Sequence, residues 1–154
     1  MAFSFLPDQI QATVESSNNR DELIEQIVKQ IYAARDHYDW VGVYLVSDHT
    51  LKLPASYFKG PDTVHKTIPF SEGICGAAAT AKRTIVVDNV NEDPRYIACS
   101  IATQSEIVVP ILHEDNLYGV LDLDSDTQAA FSPDDREILE RIADLLGKYL
   151  ASHP

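Results

Sequence analysis

Cysteine is scarce in this chain: two in 154 residues cannot staple a secreted framework, and they do not form a closely spaced metal-binding pair. In a reducing compartment such thiols are buried, catalytic or redox-cycling. Basic residues are few as well, with 12 Lys and Arg against 24 Asp and Glu, a formal charge of −12 that repels phosphate backbones and anionic headgroups. Nucleic acid and membrane surfaces are therefore not expected as partners. No apolar run approaches the roughly 18 residues that a bilayer span requires, and the N-terminus "MAFSFLPDQIQ" has no basic leader. A cytoplasmic location is expected. With no repeat, linker or low-complexity tract, residues 1–154 read as a single domain, long enough to bury about two thirds of the surface its unfolded chain exposes.

What is present is periodic. "RDELIEQIVKQIYAAR" repeats apolar side chains at Leu23, Ile24, Ile27, Ile31 and Ala34, a helix with one face toward a core, capped by Asn19 or Asn18. A shorter helix is predicted from about Pro7 to Val14. "FSPDDREILERIADLLGKYL" predicts a long C-terminal helix, with Ser132 as cap and Pro133 in its first turn. Between them the period changes to that of strands in "DWVGVYLVS", "LKLPASYF", "RTIVVDNV", "SEIVVPIL" and "NLYGVLDLDS". A short strand ending at Ile68 leads into a small-residue helix from Glu72 and Gly73 to Ala81. This order predicts an α+β fold with a mainly antiparallel sheet.

Alternation along a strand assigns faces. In "GVLDLDS", Leu121 and Leu123 point to the helices, and Asp122 and Asp124 point the other way. Taken alone, that second face reads as solvated. Trp40, Gly42 and Tyr44 likewise share a face, where the missing side chain of Gly42 leaves room between two rings. If the aromatics and the acids share one face, they converge on a concavity. Glu106 opens an apolar strand, where a carboxylate needs a partner or a proton. Cys99 lies in an aperiodic loop from Asn91 to Thr103, whereas Cys75 is wedged among small residues.

The element order, with "SEIVVPI", "GVLDLDS" and "FSPDDREILERIADLL", resembles the GAF domain superfamily over nearly the whole chain. "WVGVYL", "IPFSEGICG" and "YIACSIATQSEIVVP" together resemble the free methionine-(R)-sulfoxide reductases. The resemblance implies a six-stranded antiparallel sheet with the N- and C-terminal helices on one face and a ligand pocket on the other. It implies Cys99 as nucleophile, and Trp40, Tyr44, Glu106, Asp122 and Asp124 at pocket positions. A homodimer and a thioredoxin-like reductant are implied too. No cofactor or metal is expected. His65 stands where the family usually carries a third cysteine, Ser100 replaces an aspartate, and "DPRYI" is similar to sensory GAF domains.

Sulfoxide reduction needs a thiolate to attack sulfur while the oxygen takes up protons. Three carboxylates around one pocket cannot all ionise cheaply, so one stays protonated. Glu106 is the expected donor, Asp124 assists, and Asp122 holds the ammonium group of free methionine sulfoxide. Trp40 and Tyr44 pack the methyl-sulfur end. Cys75 is the candidate resolving thiol for a sulfenic acid on Cys99. The alternative is a non-catalytic sensory or ligand-binding GAF module. A metal site from Cys75, Cys99, His65 and His113 is a third reading, weakened by their spacing.

Overall fold

The computed structural model describes residues 2–98 and 100–154. Helix α1 (Leu6–Ser16) follows a short 3-10 turn, and α2 (Arg20–Ala34) begins where the Asn19 side chain accepts a hydrogen bond from the Glu22 amide. The sheet strands are β1 (Trp40–Ser47), β2 (Thr50–Lys52), β3 (Phe58–Lys59), β4 (Thr67–Pro69), β5 (Ile85–Val87), β6 (Ser105–His113) and β7 (Asn116–Ser125). Helix α3 (Gly73–Ala81) is inserted between β4 and β5, and α4 (Pro133–Ser152) closes the fold. At the start of α4 the Ser132 hydroxyl accepts from the Asp135 amide, and the Asp135 carboxylate accepts from the Ser132 amide. Two amides that a helix start leaves unpaired are thereby satisfied.

All strand pairings are antiparallel, in the order β4-β2-β1-β7-β6-β5, with β3 added against β1. The sheet thus has seven strands rather than six. The difference arises in "LKLPASYF": Pro54 has no amide to donate and opens a turn closed by Tyr57 N–H to the Pro54 carbonyl. One predicted strand becomes two, with β2 pairing the end of β1 and β3 its beginning. His113 is the last residue of β6. Glu114 and Asp115 make that turn with positive φ, the geometry of a tight hairpin.

Helices α2 and α4 pack on β1, β6 and β7. The strand residues turned to them, Val41, Val43, Ile107, Val109, Leu121 and Leu123, are buried with Ile27, Ile31, Leu139 and Ile142 of the helices. Helix α4 comes so close to β6 that a Cβ on Gly147 would lie 2.3 Å from the Leu112 carbonyl oxygen. The other face of the sheet receives α3, and there the chemistry collects.

Candidate functional site

Register builds the site. Asp124 stands directly between Trp40 of β1 and Glu106 of β6, and in the next row of that face Asp122 stands between Gly42 and Val108. Directly paired residues in an antiparallel sheet share a face, with Cβ atoms about 5 Å apart. Helix α3 then lays Cys75 over the rows. Its sulfur and one oxygen each of Glu106 and Asp122 all lie within 4.8 Å of one another. The sequence-predicted residues Trp40, Tyr44, Cys75, Glu106, Asp122 and Asp124 are thus gathered on one face, and all are buried. Cys99 lies outside the described residues.

The solvated face expected from "GVLDLDS" is not found: Glu106, Asp122 and Asp124 are each only 5% exposed. Helix α3 and the segment carrying Ile97 cover what alternation alone leaves open to water. Burial pushes the Asp124 carboxyl well above its ordinary value, and the Asp122 charge pushes in the same direction. Asp122 is raised by burial too, offset by hydrogen bonds with Glu106 and Cys75. Burial and then the charges of Asp122, Glu106 and Asp124 raise the Cys75 thiol well above its usual range. Cys75 is therefore a protonated thiol, which donates to Asp122. Two carboxyl groups hydrogen-bond only when a proton lies between them, and Glu106 bonds to both aspartates. Both aspartates of the cluster are thus shifted toward their protonated forms.

These shifts fix the sign of a pH effect. A carboxyl raised in the folded state contributes stability that is complete below its ordinary titration range and is lost as pH rises through the folded value. Asp124→Asn removes that loss. Its melting temperature is expected to exceed that of the parent above neutral pH, by about 2–4 °C for each kcal/mol recovered, with the gap closing toward the ordinary carboxylate range. Parallel melting curves across pH would contradict the burial argument.

The aromatic pair is arranged differently from the sequence expectation. Gly42 does not leave a gap between two rings; the Trp40 indole lies across it, so that a Cβ there would sit 2.3 Å from the ring. Trp40 also stacks on Phe58, with centroids 5.7 Å apart, and its indole N–H donates to the Pro61 carbonyl. The Tyr44 hydroxyl donates to the His65 carbonyl at 2.9 Å. Gly42→Ala is expected to displace the chain's only tryptophan, shifting its fluorescence emission and destabilising the fold by about 1–3 kcal/mol. Unchanged emission would place the indole elsewhere.

Two cavities border the rows. A recess of about 20 Å³ lies among Tyr44, His65, Ile97, Cys75, Glu106 and Asp122. A larger one, about 250 Å³, opens at the end of the strands among Tyr32, Asp39, Trp40, Thr63, Asp124 and Asp126. The second was not anticipated. Its signal was present in the i, i+2 repeat of Asp122, Asp124 and Asp126, whose last member accompanies Asp39: the Asp39 carboxylate accepts from the Asp126 amide at 2.7 Å. Of the histidines, His65 borders the recess and its Nε2 is 3.1 Å from the Ala98 carbonyl oxygen, while His113 takes no part.

The sequence profile of the GAF domain matches residues 19–150. The chain belongs to the GAF domain family. This GAF protein is 33% identical over 122 residues to the free methionine-R-sulfoxide reductase of Escherichia coli, covering 79% of this chain and 72% of that one. Free methionine-R-sulfoxide reductase from Neisseria meningitidis, solved in complex with its substrate, superposes with a TM-score of 0.90 at 33% identity, covering 97% and 89% of the two chains. A proposed GAF sensor protein from Burkholderia vietnamiensis superposes with a TM-score of 0.88 at 31% identity, covering 96% and 92%. The GAF family to which this chain belongs thus contains both reductases and proteins regarded as sensors.

Proposed function

We propose that this GAF protein reduces the R epimer of free methionine sulfoxide to methionine with the Cys99 thiol as nucleophile. One observation supports this most directly: three buried carboxyl groups, of which Asp122 and Asp124 are pushed toward the protonated form, adjoin a buried Trp–Tyr pair. Attack by the thiolate on the sulfoxide sulfur breaks the sulfur–oxygen bond only as the oxygen gains protons. Glu106 is the proton donor, bonded to both aspartates, and Asp124 assists from its side. The larger cavity, somewhat below the size usual for drug-like ligands, suits a free amino acid. Trp40, which lines that cavity, takes the methyl-sulfur end, backed by Tyr44 with ring centroids 6.4 Å apart, and Asp124 on the cavity wall, with the negative charge of Asp122 behind it, holds the ammonium group.

Oxygen passes to sulfur of Cys99 as a sulfenic acid while methionine leaves. One thiol of the reductant then condenses with it, releasing water, and a second thiol completes the disulfide of the reductant and restores Cys99. That reductant is thioredoxin-like, and the enzyme works as a cytoplasmic homodimer, its chain acting as a single GAF unit. Cys75 remains the internal candidate for resolving the sulfenic acid, although its buried, protonated state makes it a slow nucleophile.

The test is incubation with racemic methionine sulfoxide and dithiothreitol, resolving the epimers chromatographically. Consumption is expected to stop when the R half is exhausted. Loss of neither epimer would favour the second reading, a ligand-binding GAF module, which the likeness to the Burkholderia protein supports.

A further inference from the structure

We infer that the recess beneath α3 is a binding site for one thiophilic divalent cation of the zinc class, held by Cys75, Glu106 and Asp122. Three donors from three separate elements meet there, within 4.8 Å of one another. Ligand atoms around a tetrahedral zinc ion, at about 2.0–2.3 Å from it, lie roughly 3.5 Å apart, so side-chain adjustments of about an ångström bring all three into its shell. Fixed backbone need not move.

Size, charge and donor type agree with a single ion. The recess of about 20 Å³ accommodates one water-sized body, for which about 10–15 Å³ suffices, and is too small for a whole amino acid. Lysine and arginine are absent among the described residues that line it. Asp122 leaves its Oδ1 buried and without a hydrogen-bond partner among the described residues, an acceptor that a cation would satisfy. A thiolate with two carboxylates is a borderline-soft set that favours zinc, cadmium or cobalt over magnesium and calcium. On coordination the ion replaces the Cys75 thiol proton, which leaves to solvent. His65 also borders the recess, with its Nε2 engaged by the Ala98 carbonyl, which leaves the fourth position to water.

The site does not depend on the reductase reading. If both hold, an ion here immobilises two of the acids and inhibits turnover reversibly, because a chelator removes it. Sequence reading missed the set because it sought cysteine and histidine at short spacing. The three donors come instead from α3, β6 and β7.

The test titrates the reduced, metal-free full chain with cobalt(II) and with cadmium(II), following thiolate-to-metal charge-transfer absorption. We expect saturation at one ion per chain, displacement of cobalt by zinc, and retention of the band in Cys99→Ser. The band should vanish in Cys75→Ser. Asp122→Asn, which keeps the thiol, should keep the band but bind at least about 10-fold more weakly. Absence of a charge-transfer band in the parent chain would overturn the site, as would a band lost on changing Cys99 and kept on changing Cys75. Weak, unsaturating binding to surface carboxylates gives no such band and would also count against it. Activity is not needed for any of these readings, so failure of the reductase proposal is scored separately.

Discussion

Cys99→Ser is expected to lower the rate of R-epimer consumption by at least about 10³-fold, the scale on which removal of a covalent nucleophile acts. A serine hydroxyl is far less ionised at neutral pH than a thiol and cannot accept the sulfoxide oxygen as a sulfenic acid. The acids cannot substitute for it: Glu106, Asp122 and Asp124 can supply protons but not the two electrons that the sulfoxide gains. Stoichiometry gives a second measurement. Without added reductant the parent protein should release no more than one methionine per chain, and Cys99→Ser none. Equal turnover by both proteins would remove Cys99 from the chemistry and with it the reductase proposal.

Asp135→Ala is expected to be the most destabilising single change, by about 3–5 kcal/mol, because it strips a buried carboxylate from partners that stay behind. Asp135 Oδ1 accepts a hydrogen bond from the Tyr38 hydroxyl and is approached by Arg35 and His37 at 3.6 and 3.7 Å, while Oδ2 accepts from the Ser132 amide and hydroxyl. Those partners are themselves packed: Tyr38 stacks on Phe131, and the Arg35 guanidinium lies 4.0 Å over the Phe3 ring. For a chain of this size the melting temperature should fall by roughly 10 °C or more. Burial alone would raise the Asp135 carboxyl, yet the Tyr38 and Ser132 hydrogen bonds and the Arg35 charge hold it below the ordinary range. Its contribution is therefore present above that range and is lost as pH falls through the lowered value, the reverse of Asp124. The gap between parent and variant should narrow in acid. A gap below about 1 kcal/mol at neutral pH would mean that Asp135 merely caps the helix.

Local signals carried much of this fold. Ser132, Pro133 and Asp135 mark the start of α4 within four residues, and alternation placed Leu121 and Leu123 opposite Asp122 and Asp124. The site's grouping was legible for the same reason, since strand faces bring Trp40, Asp124 and Glu106 into register once β1, β7 and β6 pair. What stayed hidden depends on partners distant in sequence. Tyr38 and Asp135 are far apart along the chain, and no periodicity joins them. Burial of the acids follows from the way α3 and Ile97 cover the sheet, which alternation cannot report. The indole over Gly42 is a rotamer, set by Phe58 and the Pro61 carbonyl. Splitting of residues 51–58 into two strands follows from Pro54, whose missing amide breaks a run that is otherwise β-rich.

The edge strands of the sheet are short, three residues each in β4 and β5 and two in β3, and β4 ends in Pro69, which has no amide to offer. A passing extended peptide finds too little backbone there to dock, so the molecule is guarded against fibrillar stacking even when concentrated. Copies that associate must meet through side chains on helices and loops, leaving the long central strands to hold the acids in place.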